Sequence, residues 1–307
     1  MSGGKKDVNV TKDKVKKHMA GVVLKATAGF YYVQLDDGLW ECSLRGKFRL
    51  DKTEVLVGDR VSIIPRHGRV GVIDKVYPRN NALLRPPVAN VDLAVIIFAV
   101  REPDLTMVLL DRLLVQADYA RVEPVICLNK TDLSDGSHRE TLDIYSRAGY
   151  TVLETSTYNG MGVGELRSLL KGKISVLAGP SGVGKSSLLN AVQPGFSLKT
   201  GEVGKKIKRG RHTTRHVELL SLEDGGLVAD TPGFSQIFLP DIKREELSLF
   251  FPEIERFMGQ CRFSGCLHAS EPDCAVKEAV GKNIISPARY GNYLQFLDEI
   301  IKQERKY

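Results

Sequence analysis

From residue 19 to residue 80, apolar and polar positions alternate with a period of two. The segments are Gly21-Val22-Val23-Leu24-Lys25, Phe30-Tyr31-Tyr32-Val33-Gln34-Leu35, Leu39-Trp40-Glu41-Cys42-Ser43-Leu44, Arg60-Val61-Ser62-Ile63-Ile64 and Arg69-Val70-Gly71-Val72-Ile73. The turn formers Asp36-Asp37-Gly38, Val57-Gly58-Asp59 and His67-Gly68 punctuate them. A period of two sends successive side chains to opposite faces, so the pattern predicts about five short strands and a small antiparallel barrel of the OB type. Such barrels often carry RNA on an exposed strand face, for which Phe30, Tyr31, Tyr32, Trp40, Arg45, Lys47 and Arg49 could serve, although most aromatic residues of a small barrel are core.

After Arg79-Asn80-Asn81 and the Arg85-Pro86-Pro87 break the pattern becomes α/β. Val91 to Ala99 is a near-continuous apolar run, as expected of a parallel strand buried on both faces. A helical stretch from Thr106 to Ala120 has Leu109, Leu110, Leu113 and Leu114 on one stripe, and Glu123 to Leu128 is a second buried strand. Lys173 to Ala178 is a third strand, leading to a helix that begins near Ser187, and an amphipathic helix is expected near Tyr290 to Lys302. The chain thus divides into a basic tail (1–18), an OB-type β-barrel (19–83), an α/β nucleotide domain (84–238) and a helical domain (239–307).

At 307 residues, 42% hydrophobic and 26% charged, the composition suits a globular protein of two or three domains. No apolar run approaches the roughly 20 residues of a membrane span. Met1 to Ala20 is lysine-rich without a hydrophobic centre, so it is no signal peptide, and the expected setting is cytoplasmic, with no membrane partner. The net charge of +7 is uneven: residues 1 to 18 carry six lysines against two aspartates, and residues 197 to 216 carry seven Lys/Arg against one glutamate. Charge runs are often solvated surface; two separated runs and a pI near 9.1 favour a polyanionic partner such as nucleic acid.

The chemistry enters at residues 179 to 187, Gly179-Pro180-Ser181-Gly182-Val183-Gly184-Lys185-Ser186-Ser187, set between a strand and a helix. Three glycines let successive N–H groups turn inward and, with the helix N-terminus, cradle phosphate oxygens. Lys185 is expected to reach the terminal phosphates and the Ser186 hydroxyl to ligate magnesium. The strand ending at Leu128 delivers Asn129-Lys130-Thr131-Asp132. At the end of a parallel strand this spacing reads guanine: the Asp132 carboxylate accepts from N1–H and the exocyclic amine, a donor pair adenine lacks. Asn129 meets the ring edge and the Lys130 stem packs on the base. Downstream, Leu227-Val228-Ala229 delivers Asp230-Thr231-Pro232-Gly233, where Asp230 would hold magnesium through water and the Gly233 N–H would sense the γ-phosphate. A small-molecule kinase would account for the phosphate loop but for neither of the other two motifs. The guanine reader precedes the phosphate loop, the reverse of the conventional order, so the domain reads as a circularly permuted P-loop GTPase.

Cys261, Cys266, His268 and Cys274 lie within 14 residues at C-x4-C-x-H-x5-C spacing. Four such ligands suffice for one tetrahedral structural zinc ion that staples a small helical domain; the alternative is buried cysteines beside a surface histidine.

A permuted GTPase, an N-terminal OB-like barrel and a C-terminal Cys3His domain together closely resemble the RsgA family, also called YjeQ or YloQ, bacterial GTPases of small-ribosomal-subunit biogenesis. The resemblance covers residues 19 to 300. It implies a monomer that hydrolyses GTP under stimulation by the small subunit, contacts its rRNA, acts in late maturation of the decoding region and departs upon hydrolysis. It places Arg211-His212-Thr213-Thr214 in the family's switch segment, where Thr213 or Thr214 would close over magnesium. Phe234 stands where many GTPases have a water-orienting glutamine, so the intrinsic rate is expected to be low and the missing group supplied elsewhere, with His212 the candidate and a phosphate or RNA contact its alternative. Ser156, in Glu154-Thr155-Ser156-Thr157, falls where a Ser-Ala pair usually supports guanine. An RNA-binding assembly factor with an inactive nucleotide domain is a further alternative; it would have no need of Lys185.

Overall fold

The computed structural model describes residues 18–27, 29–50, 54–84, 86–196, 217–229 and 238–305. Its first unit is a closed barrel of β1 (Met19–Thr27), β2 (Phe30–Leu35), β3 (Gly38–Leu44), β4 (Arg60–Pro65) and β5 (Val70–Val76), in the order β1-β2-β3-β5-β4, with the short helix α1 (Gly46–Leu50) after β3. Alternation fills the interior with Val23, Val33, Leu35, Cys42, Val61, Ile63 and Ile73. One ladder departs from the antiparallel expectation: β3 and β5 pair in parallel, from Glu41↔Val70 to Leu44↔Ile73, and so close the barrel. Trp40, a candidate surface aromatic in the sequence, belongs to this core, and its indole N–H donates to Asp37 at 2.8 Å.

The prolines at 86 and 87 sit in a hairpin of β6 (Ala82–Leu84) and β7 (Pro87–Ala89) rather than in a plain break. The α/β unit follows as β8 (Leu93–Ala99), α2 (Met107–Tyr119), β9 (Glu123–Asn129), α3 (His138–Ala148), β10 (Thr151–Glu154), α4 (Val163–Leu170), β11 (Ile174–Ala178), α5 (Lys185–Val192), β12 (Leu219–Ser221) and β13 (Leu227–Ala229). Its sheet runs β10-β9-β8-β11-β13-β12, parallel except for β12. Every residue of β8 and β11 is buried, as their apolar runs require of strands covered on both faces. The chain builds one half of the sheet with β8, β9 and β10, then crosses to β11 and the other half. The switch point therefore lies between β8 and β11, where an open α/β sheet gathers its ligands. Barrel and sheet share a core through Leu24, Val57, Val88, Val91 and Leu219, and Lys25 pairs with Glu218 at 2.8 Å.

The last unit contains α6 (Pro252–Glu255), α7 (Ala275–Gly281) and α8 (Pro287–Glu304) around Leu247, Phe251, Ile254, Phe296 and Ile300, a cluster joined by Val115 of α2. α8 starts before the expected Tyr290 because Ser286 and Pro287 give it a first turn compatible with proline. A buried ionic network fixes this unit to α2 and α3. Arg289 donates from Nε and Nη2 to Glu253 at 2.6 and 2.9 Å and from Nη1 to Asp111 at 2.5 Å. Asn292 and Tyr145 donate to the same Asp111 carboxylate at 2.6 and 2.8 Å. The guanidinium lies 4.9–5.3 Å from the ring centroids of Phe251, Tyr145 and Tyr150. Beside it, Arg112 makes a two-pronged pair with Glu299 at 2.8 and 2.7 Å.

Candidate nucleotide and metal sites

The phosphate loop leaves β11 at Ala178 and enters α5 at Lys185. Gly179 has φ +129°, and a Cβ there would lie 2.0 Å from the Ile97 carbonyl oxygen of β8. Gly184 has φ +95°, with a Cβ 2.4 Å from Asn129 Nδ2, so both ends of the loop press on neighbours that only glycine allows. Pro180 is half-buried, Ser181 and Gly182 are exposed, and Val183 anchors the loop in the core beside Leu188. Lys185 folds over the loop and donates to the Gly179 and Pro180 carbonyls at 2.9 and 2.5 Å; burial holds its ammonium below the usual lysine range. Ser186 and Ser187 are half-buried in the first turn of α5.

The Asn129-Lys130-Thr131-Asp132 segment reaches the same place from β9. Asn129, 1% exposed, donates from Nδ2 to the Val183 carbonyl at 2.8 Å and accepts from Thr155 Oγ1 at 3.1 Å. One side chain thus ties the end of β9 to the phosphate loop and to the loop after β10. Lys130 has φ +60° and donates to the Glu102 carbonyl, and the N–H and hydroxyl of Thr131 both donate to the Thr155 carbonyl, at 3.2 and 3.0 Å. Asp132 is exposed, and its Oδ1 accepts from the Ser156 hydroxyl at 2.5 Å; the Ser156 oxygen in turn accepts from the Tyr158 N–H at 3.2 Å. Asn129, Asp132, Ser156 and the loop 179–184 are therefore one connected set. Thr155 and the Glu102 carbonyl were missed by sequence reasoning; for Thr155 the available signal was its place in the Glu154–Thr157 segment. His212, Thr213, Thr214, Asp230, Gly233 and Phe234 lie outside the described residues, as do most of both basic runs.

The other convergence of ligand atoms is Cys261, Cys266, His268 and Cys274, whose donor atoms all lie within 4.8 Å of one another. The Cys261 and Cys274 sulfurs are 3.8 Å apart, and His268 Nδ1 lies 3.5 and 3.4 Å from them. Metal–sulfur bonds of about 2.3 Å in a tetrahedron require sulfur–sulfur edges of about 3.8 Å, so the donors fit a closed zinc site. Burial, then the neighbouring Cys274 and Cys261 sulfurs, push the Cys266 thiol up to about 12, a crowding that a divalent cation would relieve. The backbone around the ligands is fixed from outside: Glu271 accepts from the Leu267 and Ala269 N–H groups at 2.8 and 2.9 Å. Tyr290 and Tyr293 of α8 donate to the His268 and Leu267 carbonyls at 2.6 and 2.8 Å.

On the barrel, Phe30 is 48% exposed, Tyr31 and Tyr32 are half-buried, and Arg45 and Lys47 are exposed around Asp74. The Arg49 side chain is outside the description. Among the described residues no helix is long and apolar enough to cross a membrane.

Residues 20–73 match the family model described as the RsgA N-terminal domain, and residues 76–240 that described as the RsgA GTPase. The chain is 51% identical over 289 residues to the small ribosomal subunit biogenesis GTPase RsgA of Moorella thermoacetica, covering 94% of this chain and 100% of that protein. It is 48% identical to the protein of the same name from Caldanaerobacter subterraneus subsp. tengcongensis, covering 94% and 98%. Among solved structures it is similar to YjeQ from Thermotoga maritima, with TM-score 0.82, 40% identity and coverage of 93% of this chain and 99% of that one. It is also similar to YloQ, described as a circularly permuted GTPase, with TM-score 0.81, 38% identity and coverage of 95% and 98%. Motifs, permuted sheet and relatives agree: this chain belongs to the RsgA GTPase family and is a circularly permuted GTP hydrolase.

Proposed function

We propose that this GTPase binds the small ribosomal subunit, acts in its late maturation and is released when GTP is hydrolysed. The observation that carries the nucleotide part is the Asn129 bridge, which holds the expected base-reading loop and the expected phosphate loop in one rigid unit. In this reading residues Gly179 to Ser187 cradle the phosphates, Lys185 exchanges its two carbonyl partners for phosphate oxygens, and Asp132, set by Ser156, selects guanine beside Asn129, Lys130 and Thr131. Ser186, Asp230 and Thr213 or Thr214 would hold magnesium, which supplies charge neutralisation at the β- and γ-phosphates. Gly233 senses the γ-phosphate and His212 activates water. Cys261, Cys266, His268 and Cys274 would hold a structural zinc ion that braces the helical unit.

The division at residues 18, 83 and 238 assigns one task to each part. The barrel's exposed Phe30, Arg45 and Lys47, with the basic runs at 1–18 and 197–216, suit ribosomal RNA. The relatives' name supports the small subunit as the partner, and a cytoplasmic monomer is the working state in this reading. The test is steady-state hydrolysis of GTP and ATP with and without small subunits, alongside Lys185→Ala. GTP-selective turnover that subunits accelerate and Lys185→Ala abolishes is expected; indifference to subunits, or equal use of ATP, would overturn the proposal.

A further inference from the structure

The two loops around Asp132, tied by Thr131 to the Thr155 carbonyl and by Ser156 to Asp132, are joined once more through a histidine. Glu154, the last residue of β10, accepts from His138 Nε2 at 3.0 Å, and His138, the first residue of α3, meets the Ser134 hydroxyl with Nδ1. Ser134 also accepts from the Gly136 N–H at 2.9 Å. A carboxylate accepts, so Nε2 carries a proton towards Glu154, and Nδ1 shares a hydrogen with the Ser134 hydroxyl. The His138 side chain is 9% exposed and both of its nitrogens are used within this chain of bonds. Ser134 is two residues beyond Asp132, and Glu154 is two residues before Ser156. The histidine therefore spans the same pair of loops that the Ser156–Asp132 bond closes on the other side.

Asp132 is exposed and sits in a single turn, Thr131–Leu133, outside any ladder; Thr131 anchors the chain just before it to Thr155, and the histidine chain is the anchor just after it. Guanine differs from hypoxanthine by the exocyclic amine alone. A carboxylate reads the difference only if its two oxygens face both donors together, and a loop free to tilt gives up the second bond before the first. We propose that His138 is a positioning residue for guanine selection, holding the Asp132 loop against the Ser156 loop through Ser134 and Glu154. The inference rests on the reading of Asp132 as the guanine-selecting carboxylate.

The experiment measures the affinity of the full-length protein for GDP and IDP by displacement of a fluorescent GDP analogue, with XDP added for Asp132→Asn. His138→Ala is expected to lower the GDP-to-IDP affinity ratio about tenfold. His138→Gln, whose amide can donate to Glu154 and accept from Ser134, should restore most of the ratio. Ser134→Ala cuts the same chain at a half-buried hydroxyl without opening a cavity, so it provides the test should His138→Ala fold poorly; it should move the ratio in the same direction. An unchanged ratio in these variants, or an equal loss of GDP and IDP affinity, overturns the positioning role while a shift of Asp132→Asn towards XDP leaves the reading of Asp132 intact. If Asp132→Asn does not move the base preference, that reading itself fails and the inference with it.

Discussion

Replacing Arg289 with methionine should detach the C-terminal helical unit from the GTPase domain more effectively than any surface change. The substitution keeps much of the apolar volume packed among Tyr145, Tyr150 and Phe251 while removing the one cation between two buried carboxylates. Asp111, fully buried, would retain Asn292 and Tyr145 as donors but no counter-charge, and Glu253, nearly buried, would lose its two-pronged partner. Removing one member of a buried ion pair costs about 3–5 kcal/mol. That is a large part of the roughly 5–15 kcal/mol that holds a domain folded. The only tryptophan, Trp40, lies in the barrel core, so its fluorescence would not follow the event. Amide hydrogen exchange along α8 would follow it, and the cost corresponds to exchange faster by roughly a hundredfold to a few thousandfold. Adding Asp111→Asn to Arg289→Met removes one stranded charge and should recover part of the loss, whereas Asp111→Asn alone should destabilise. Less than a tenfold change in α8 exchange for Arg289→Met would refute the view that this network holds the units together.

Three further outcomes are expected. Burial raises the Asp118 carboxyl to about 6, with Glu255 adding to the rise and Arg289 opposing it, whereas an unfolded aspartate titrates near ~3.9. Its folded form prefers the proton, so the penalty is absent below the unfolded value, grows as pH rises to about 6 and is complete above it. Asp118→Asn should therefore raise stability at pH 7.5 by about 1–2 kcal/mol, after allowance for its partial exposure, and change little at pH 4; urea unfolding followed by circular dichroism at both values checks this. A chelator, or Cys274→Ser, should strip exchange protection from α7 while leaving GDP affinity within about twofold, because the Cys3His cluster braces only the helical unit. In Gly179→Ala the new methyl meets a backbone carbonyl that no rotamer change can move, and GDP binding should weaken at least about tenfold, measurable by calorimetry.

The elements read most reliably from sequence were those whose signal is local. Turn residues at 36–38 and 67–68 separate strands of clean alternation, and the apolar runs at 93–99 and 174–178 admit little but buried strands. The phosphate loop and the Asn129–Asp132 segment were legible for the same reason, since each is a fixed spacing within a few residues. Through-space choices were not. Nothing in β3 announces a parallel partner in β5, and the Arg85-Pro86-Pro87 run concealed a hairpin because Pro87 opens a very short strand, a position where a missing N–H costs little. α3 was passed over because only Leu142, Tyr145 and Ala148 of its eleven residues are buried, a thin stripe in a polar segment. Arg289 and Asp111 look like ordinary solvated helix charges in sequence; only the packing of α8 on α2 makes them a buried pair. Likewise Thr155 and His138 gain their roles from the meeting of two strand ends, which no single window of sequence contains.

The permuted strand order also fixes when nucleotide can begin to help the chain fold. During synthesis the half-sheet β8-β9-β10 is complete before the phosphate loop exists, and at about 5–20 residues per second several seconds separate Asn129 from Gly184. Throughout that interval the apolar edge of β8 waits for β11, its eventual neighbour at the centre of the sheet. Ligand stabilises only a state that binds it, so GTP cannot shield this nascent edge and can act only as a late clamp on a nearly finished domain. In a chain that meets its phosphate loop first, the cradle is among the earliest parts to emerge. Here the burden of keeping the early half-sheet from misassociation falls on α2 and α3, which cover one of its faces, on α4 at the other, and on the barrel that precedes it.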